Sequence, residues 1–553
     1  MVLMTKKKFL FFLSILYSVY FHFKTFFLNI SPKYFSSVNF DDFVKTNNSL
    51  WDQKKNTVIK KHNILLTNFV HQPVYTFTEA MISKYVEEFY NYNIYGLIDK
   101  HDVFGKELIK SFNIDNFFYI TKINFFQRIF LLFQSYKIIN KTKNIDEFIN
   151  FSIENINFGR CIYDHIIRNT GICSFNKFNL KCYFFLSEAL FINNSIKKIF
   201  SENNFKYMVM SETQFLPSNI IFQNALKNNI KVISRTHGPK KIGVKLVNSI
   251  LEKFESNHKI SNSLVDKISL EDKSLYAKKG LDLINNIFDG KSKHYDSFSS
   301  QTFLRKNDRN KDDLYKHFNW DKSKKICTVF SHNLIDGNYN NKWRIFRDNL
   351  TWLKETLFYI KSLKKEVNWI IKEHPSEYGL GKSSTSTFRE FNKIIVNESN
   401  IKFYPNDFNT SIIKEITGCV LTSQGSAGLE YPCLGIPSVI AGDSYYQGSG
   451  FTIEPRDKNE YFDTLKNMKK IIINELTKDQ VSSARILAYV FLEKSRINHS
   501  LLYEADISKK INYNNFFDIT KNLIFQYKED DDLFKKLLKI QLDKNNQHLF
   551  KLN

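Results

Sequence analysis

Two short stretches carry the side chains best suited to hold a phosphate. NWIIKEHPSEYG is an apolar run ending in Lys372, Glu373, His374 and Pro375. About fifty residues on, GCVLTSQGSAGLEYPCLGIPSVIAGDSYYQGSGFT begins as a second apolar run and breaks at Ser423, Gln424 and Gly425. The pattern predicts buried strands at 367–371, 419–422 and 438–441, with a helix starting near Ser426 and carrying Glu430 one turn in. In a parallel α/β sheet the carboxyl ends of strands and the neighbouring helix N-termini line the ligand crevice. Unpaired backbone N–H groups and the positive end of a helix dipole favour a phosphate there. Lys372 and His374 add donors or positive charge, Ser423 and Ser426 bracket the helix start, and Glu430 is placed to accept the hydroxyls of a ribose. Ser is equally a preferred N-cap, so an ordinary capped helix start has the same appearance. A solvated helix residue is the plain alternative for Glu430, and a structural side chain for His374.

The order Lys-x-His-Pro, Thr-Ser-x-Gly-Ser-x-Gly-x-Glu and Gly-x-Pro resembles the donor-nucleotide half of GT-B glycosyltransferases. It is most similar to bacterial capsule and surface-polysaccharide biosynthesis proteins, the Kdo-transferase and polysialyltransferase-like groups. TVFSHNLIDGNYNNKWRIFRDNLTWLKETL upstream and GDSYYQGSGFT downstream extend the resemblance over Lys325–Pro455, roughly a quarter of the chain. It implies a GT-B-like α/β fold, with two Rossmann-type parallel-sheet domains facing a cleft and helical extensions at both ends. It also implies transfer of a sugar from a nucleotide-activated donor, CMP-linked acidic sugars leading, to a capsule polysaccharide or glycolipid acceptor. Lys372, His374, Ser423, Gly425, Ser426 and Glu430 would hold the donor nucleotide. The loop with Tyr445, Tyr446, Gly448 and Gly450 would line the donor-sugar or acceptor pocket, although a structural turn fits that loop as well. Two alternatives stand beside this reading: a UDP-sugar 2-epimerase-like enzyme, and a non-catalytic capsule assembly or export factor.

A second pair of strand ends lies upstream. FKYMVM stops at Ser211, Glu212 and Thr213, SNIIFQNALKNN reads as a helix, and IKVIS stops at Arg235, Thr236, His237 and Gly238. Glu212 and His237 are therefore expected at a carboxyl edge, where a general base belongs; Asp336 in HNLIDG is a third candidate. No metal or other cofactor is expected. A metal-dependent sugar transferase would want a DxD motif at a strand end, and the only acidic run, Asp530–Asp532, falls in the helical tail and reads as solvated charge.

These motifs need two sheets to position them, and 553 residues suffice for two domains with extensions. NILLTNF, the helix FTEAMISKYVEEFYNY and IYGLID form a strand–helix–strand unit that opens a first Rossmann-like domain over 61–290. A Ser-, Asp-, Lys- and Asn-rich connector at 291–324 carries a short helix near 313–318. The nucleotide-sugar domain spans 325–480, with a helix at 343–363, and a basic helical extension occupies 481–553. Residues 1–60 are a hydrophobic segment and a loosely packed lead-in.

The balance of 79 Lys and Arg against 56 Asp and Glu gives a net charge of +23. Such a charge suits an anionic membrane surface or substrate, though an AT-rich genome would write the same Lys, Asn, Ile and Phe excess. Nucleic acid is disfavoured, because no zinc-ligand spacing, RNP motif or basic heptad region is present. Six cysteines form no CxxC pair and fit a reducing, cytoplasmic setting, with peripheral attachment to the inner face of the plasma membrane. Lys6–Lys8 lead a run to Phe23 that is short for a spanning helix. It reads as an interfacial or anchoring helix, as a helix docked on the protein, or as a signal peptide without an evident cleavage site.

Overall fold

The structure, a computed structural model, describes residues 2–27, 38–52, 62–120, 123–236, 241–260, 265–266, 268–291, 302–304, 306–339, 342–377, 381–502, 513–527 and 532–551. His237, Asp530 and Asp531 lie outside the described residues. The chain forms two units. One comprises Met1–Ile166, Phe175–Phe254 and Ser495–Asn553, and the other Ile167–Ser174 and Glu255–Lys494.

Six strands, β1 (Asn63–Asn68), β2 (Asn93–Asp99), β3 (Asn116–Ile120), β4 (Phe205–Met210), β5 (Lys231–Thr236) and β6 (Lys241–Val247), build the first unit's sheet with a two-residue strand, Ile497–Asn498. From one edge the order is Ile497–Asn498, β6, β5, β4, β1, β2, β3. The five strands from β5 to β3 run parallel, as the strand–helix–strand pattern requires. β6 and Ile497–Asn498 add antiparallel at one side, which the sequence pattern did not indicate. Alternate side chains of each strand feed opposite cores. Ile64 and Leu66 of β1 join the cluster around helix α2 (Pro73–Tyr90), while Leu65 joins the opposite cluster, which packs under other helices. α2 starts with Pro73 in its first turn and ends on Asn91 in the left-handed region, both ordinary helix boundaries.

On the opposite face, Lys7, Phe11, Ser14 and Ser18 of α1 (Val2–Phe27, numbered by chain position) turn inward onto α3 (Phe125–Lys141) and α4 (Leu180–Glu202). The lead-in is not loose. Val38–Asp52 is a helix whose Phe43 and Trp51 are fully buried, because Phe40, Phe43 and Trp51 fall on one side and pack on Phe517 and Tyr85.

The second unit's sheet is parallel throughout, with β7 (Ile326–Phe330), β8 (Asn368–Lys372), β9 (Ile401–Phe403), β10 (Thr417–Thr422), β11 (Ser438–Ile440) and β12 (Thr452–Ile453) in the order β9, β8, β7, β10, β11, β12. Counted from β7 this is 3-2-1-4-5-6, the dinucleotide-fold order, with its switch point between β7 and β10. The α/β organisation with two Rossmann-type sheets and helical extensions is therefore present.

Two segments sit elsewhere than the sequence boundaries suggested. Helix α6 (Leu270–Phe288), expected at the end of the first domain, packs along α9 (Lys478–Tyr489) in the second unit. The approach is close: a Cβ on Gly280 would meet the Arg485 carbonyl oxygen at 2.0 Å, and the Tyr276 and Tyr489 rings are 4.8 Å apart. The tail from Ser495 belongs to the first unit, where the Asp532 carboxylate accepts hydrogen bonds from Tyr85 (2.6 Å) and Tyr527 (2.8 Å) and lies 3.0 Å from Nε2 of His499. Asp532 also caps the helix Leu533–Asp543 by accepting from the Lys535 N–H. It is not solvated charge; it is the tail's buried anchor.

Burial alone would raise the Asp532 carboxyl, but the hydrogen bond and charge of His499, with the Tyr85 and Lys535 bonds, hold it below its ordinary 3.8. Its stabilisation is complete above that value and is lost only as the pH falls below it. We predict that Asp532→Ala lowers stability by about 3 kcal/mol at pH 7, leaving a buried histidine and two phenols without their acceptor. A urea midpoint unchanged from wild type would contradict this.

Candidate functional site

Three consecutive residues leaving the central strand β7 organise the second unit's carboxyl edge. Ser331 Oγ accepts the His374 N–H at 3.1 Å and the Thr387 hydroxyl at 3.0 Å. Asn333 Nδ2 donates to the Ser376 carbonyl and hydroxyl at 2.9 and 3.0 Å. His332 lies between them, its ring 5.6 Å from that of His374 at 84°. The turn Glu373–Ser376 after β8 is thus fastened to the strand next to the switch point.

The backbone N–H of Ser376 donates to Nδ1 of His374 at 3.2 Å, and an N–H can only donate. Nδ1 therefore carries the lone pair and Nε2 the proton. His374 serves as an N–H donor rather than as the positive charge that was one expectation. His332 is held neutral too: burial, with His374 and Arg344 adding, pulls its pKa well below 6.5. Its Nε2 is 3.3 Å from Gln424 Nε2, across the switch point, and its buried Nδ1 has no partner among the described residues.

The positive charge at this edge is Arg344, which the sequence reading did not single out. Its guanidinium donates to the Asn338 carbonyl (2.8 Å), Asn349 Oδ1 (2.6 Å) and Ser423 Oγ (3.1 Å), so it bridges the loop after β7 to the end of β10. It is placed by an antiparallel run beside the end of β11, with Ile345 N–H on the Ala441 carbonyl and Asp443 N–H on the Trp343 carbonyl. This run takes the chain from 343 to 347 out of helix, and helix α7 (Asn349–Ser362) starts only after it, capped by Asp348. Asp336 accepts its neighbour Gly337's N–H within the same loop.

Beyond β10, α8 (Ala427–Glu430) is only four residues long and passes into a turn at Pro432–Leu434. Ser426 has helical backbone angles and makes no side-chain cap. The dipole of so short a helix is small, and what this lip offers is backbone: the N–H groups of Ser426 and Ala427 have no hydrogen-bond partner among the described residues. The Gly425 N–H is already taken by Thr422 Oγ1 at 3.0 Å. Gln424, Gly425 and Ser426 are half-exposed, whereas Ser423 and Glu430 are buried beneath them. Tyr446 is fully buried and braces the lip from below, its hydroxyl donating to the Gly425 carbonyl at 2.6 Å. Tyr445 stacks on Phe491 at 4.3 Å, and Gly448 and Gly450 are exposed at φ of 80° and 83°, with open space where a Cβ would stand.

Lys372 points away from the switch point, towards the ring of Tyr404 after β9 at 5.8 Å. Burial pulls its pKa down to about 8, against Glu373, which raises it. In the same cluster burial pushes Glu377 up to about 7, outweighing the Thr387 N–H that its carboxylate accepts. A surface hollow lined by Asp308, Arg309, Asp313, His317 and Phe408 lies where the segment before β7 meets the loop after edge strand β9, two strands from the crevice. The β7–β10 edge is the candidate the topology singles out, since it is the switch point of the sheet.

In the first unit the order of strands makes β1 and β4 flank the switch point. Glu212 follows β4, and its carboxylate accepts the N–H groups of Gln214 and Phe215, the latter at 3.3 Å. His71 follows β1 with a left-handed φ of 55°. Asp102 lies 3.1 Å from its Nδ1, and Asn68 Nδ2 holds the same carboxylate at 2.9 Å. The Asp102 hydrogen bond, opposed by burial, raises the His71 pKa. The sequence signal for His71 is its place in HQPVY, three residues past the end of β1. Behind it Glu79 is buried and pushed up to about 8 by that burial, near Arg235. Among the described residues no three His, Cys, Asp or Glu side chains are grouped to hold a metal ion, and all six cysteines are free and buried.

The raised carboxyl gives a test of the second unit. Glu377 binds a proton more tightly folded than unfolded, so stability declines as pH rises from 4.5 to about 7 and stays lower above that. Glu377→Gln keeps the acceptor for Thr387 and removes the charge. The variant is expected to be more stable than wild type by about 3 kcal/mol at pH 8, and equal to it below pH 4.5; parallel urea curves at the two pH values would measure both.

No protein-family model and no curated protein sequence matches the chain. Solved structures do. A beta-Kdo 2,4 transferase, KpsC, from Thermosulfurimonas dismutans is similar at 14% identity over 52% of this chain and 85% of that one, with a TM-score of 0.33. A UDP-GlcNAc 2-epimerase from Methanocaldococcus jannaschii, solved with UDP-GlcNAc and UDP, is similar at 13% identity over 77% and 97%, with a TM-score of 0.25. A glycosyltransferase from Rickettsia africae is similar at 12% identity over 85% and 98%, with a TM-score of 0.24.

Proposed function

We propose that the chain is a glycosyltransferase that binds a nucleotide-activated sugar at the β7–β10 edge of its second unit. One observation carries the reading. Around the switch point, His374, Arg344 and two partnerless N–H groups of the lip gather as hydrogen-bond donors and one fixed positive charge, with the neutral His332 ring packed beside His374. Such a set suits a phosphate, which presents acceptors only and is negative.

In the proposed reaction an acceptor hydroxyl attacks the anomeric carbon of the donor sugar, and the bond from that carbon to the phosphate oxygen breaks. The leaving phosphate takes the electron pair, and donors already in place offset the developing charge without reorganising. The acceptor hydroxyl loses its proton to a base. Two groups of the first unit are chemically suited to take it: Glu212, and His71 with Nδ1 held by Asp102, which leaves Nε2 for the proton. CMP-linked acidic sugars as donors, and a capsule or surface glycan as acceptor, are part of the proposal, as is chemistry without a metal.

Titration calorimetry with CMP, UDP and GDP tests the site. At least one nucleotide should bind, and His374→Ala or His332→Ala should each weaken it about tenfold, the loss of one or two hydrogen bonds to a charged group. Both variants should keep a cooperative melting transition without nucleotide, so that the change reports binding rather than unfolding. Undiminished affinity in both folded variants would remove the assignment. Nucleotide binding without any donor-sugar turnover would instead favour a binding platform over a transferase.

A further inference from the structure

Helix α1 is patterned inside out for a protein surrounded by water. Ser14 and Ser18 face inward at 0% and 3% exposure, while Phe9, Phe12, Leu16 and Tyr20 stand outward at 61%, 58%, 52% and 60%. The spacing explains it. Lys7, Phe11, Ser14 and Ser18 recur every three or four residues and share one face, and the four exposed residues share the opposite one. The inward face is built for docking: Lys7 Nζ donates to the carbonyls of Ile139 and Thr142, at 3.0 and 2.7 Å, and closes the carboxyl end of α3. Phe11 packs on Phe133 and Tyr136 at 5.1 and 4.7 Å. α1 is thus a fixed part of the first unit, not a tether.

α3 continues the same surface. Phe126, Phe130 and Phe133, again three or four residues apart, are 83%, 63% and 49% exposed, and the Phe11–Phe133 contact joins the two helices. Neither helix contains a carboxylate: across Val2–Phe27 and Phe125–Lys141 the charges are Lys6, Lys7, Lys8, Lys24, Arg128, Lys137 and Lys141. Lys6 and Lys8 flank the apolar face of α1, and Lys137 extends the stripe of α3. No helix among the described residues is long and apolar enough to cross a membrane.

We infer that the outward faces of α1 and α3 form one docking surface for an anionic lipid bilayer, with the phenylalanines entering the acyl boundary and the lysines meeting the headgroups. The charge decides between occupants. Glu188, paired with Arg128, and Glu147, near Lys7, stand beside this face, but the two helices themselves carry only cations, so the face repels a second copy of itself and matches the negative surface of an anionic leaflet. The inference is independent of what the second unit binds.

Co-sedimentation of the full chain with phosphatidylglycerol-containing and pure phosphatidylcholine vesicles tests it. The chain should pellet with the anionic vesicles, less so at high salt. The pairs Phe12→Ser with Leu16→Ser and Phe126→Ser with Phe130→Ser should each weaken binding at least about tenfold. These side chains face outward, so circular dichroism and melting should be unchanged. Absence of binding to anionic vesicles, binding undiminished in both pairs, or equal binding to neutral vesicles would overturn it. So would a dimer that dissociates in the same variants while vesicles leave the chain in solution.

Discussion

The second unit depends on the way one central strand ends. β7 lies between β8 and β10, so the residues leaving it reach the turn on one side and the crevice on the other. Ser331 and Asn333 use their side chains to fasten the turn after β8, which leaves His332 held at the switch point itself. Buried backbone groups in such a turn must be satisfied, and the short polar side chains do it at hydrogen-bond distance. The rest of the edge is built against this fixed turn. Arg344 spans to Ser423, Tyr446 supports Gly425 from beneath, and Gly428 has no Cβ because one would fall 2.0 Å from the Tyr446 hydroxyl.

Much of this architecture was legible from apolar runs that end abruptly. β4 runs over Phe205–Met210, the span its apolar run marked out, and the strands carrying His374 and Ser423 lie within a residue or two of their expected limits. Pattern reading succeeds there because a strand buried on both faces leaves a continuous apolar signature. It failed where the determinant is a distant partner. Arg344 lies in a stretch with helical composition, and only the pairing with Ala441–Asp443 diverts the chain there. Asp532 reads in sequence as one of three solvated acids, and only Tyr85 and His499, distant in sequence, together with the nearby Tyr527, surround it. The helix start at Ser426 was legible as a position but not as a length, because Pro432 and Gly435 cut the helix short only through the turn they form together.

The two sheets share one strand logic and differ in the chemistry at their switch points. The first unit's edge carries carboxylates and a histidine whose Nδ1 faces one of them, groups that accept protons. The second unit's edge carries neutral imidazoles, an arginine and backbone N–H groups, which donate. An acceptor-rich edge suits a substrate that must lose a proton, and a donor-rich edge suits one that carries negative charge. Each assignment follows from the polarity of its own unit's side chains.

The central claim is that a phosphate belongs between His374 and the lip after β10. A crystal structure of the chain with bound nucleotide tests it most directly. The phosphate should lie within hydrogen-bond distance of the Ser426 or Ala427 N–H and of Nε2 of His374, with Arg344 as the nearest guanidinium. A nucleotide seated instead in the hollow beside Phe408, or with its phosphate turned away from β7 and β10, would contradict the account.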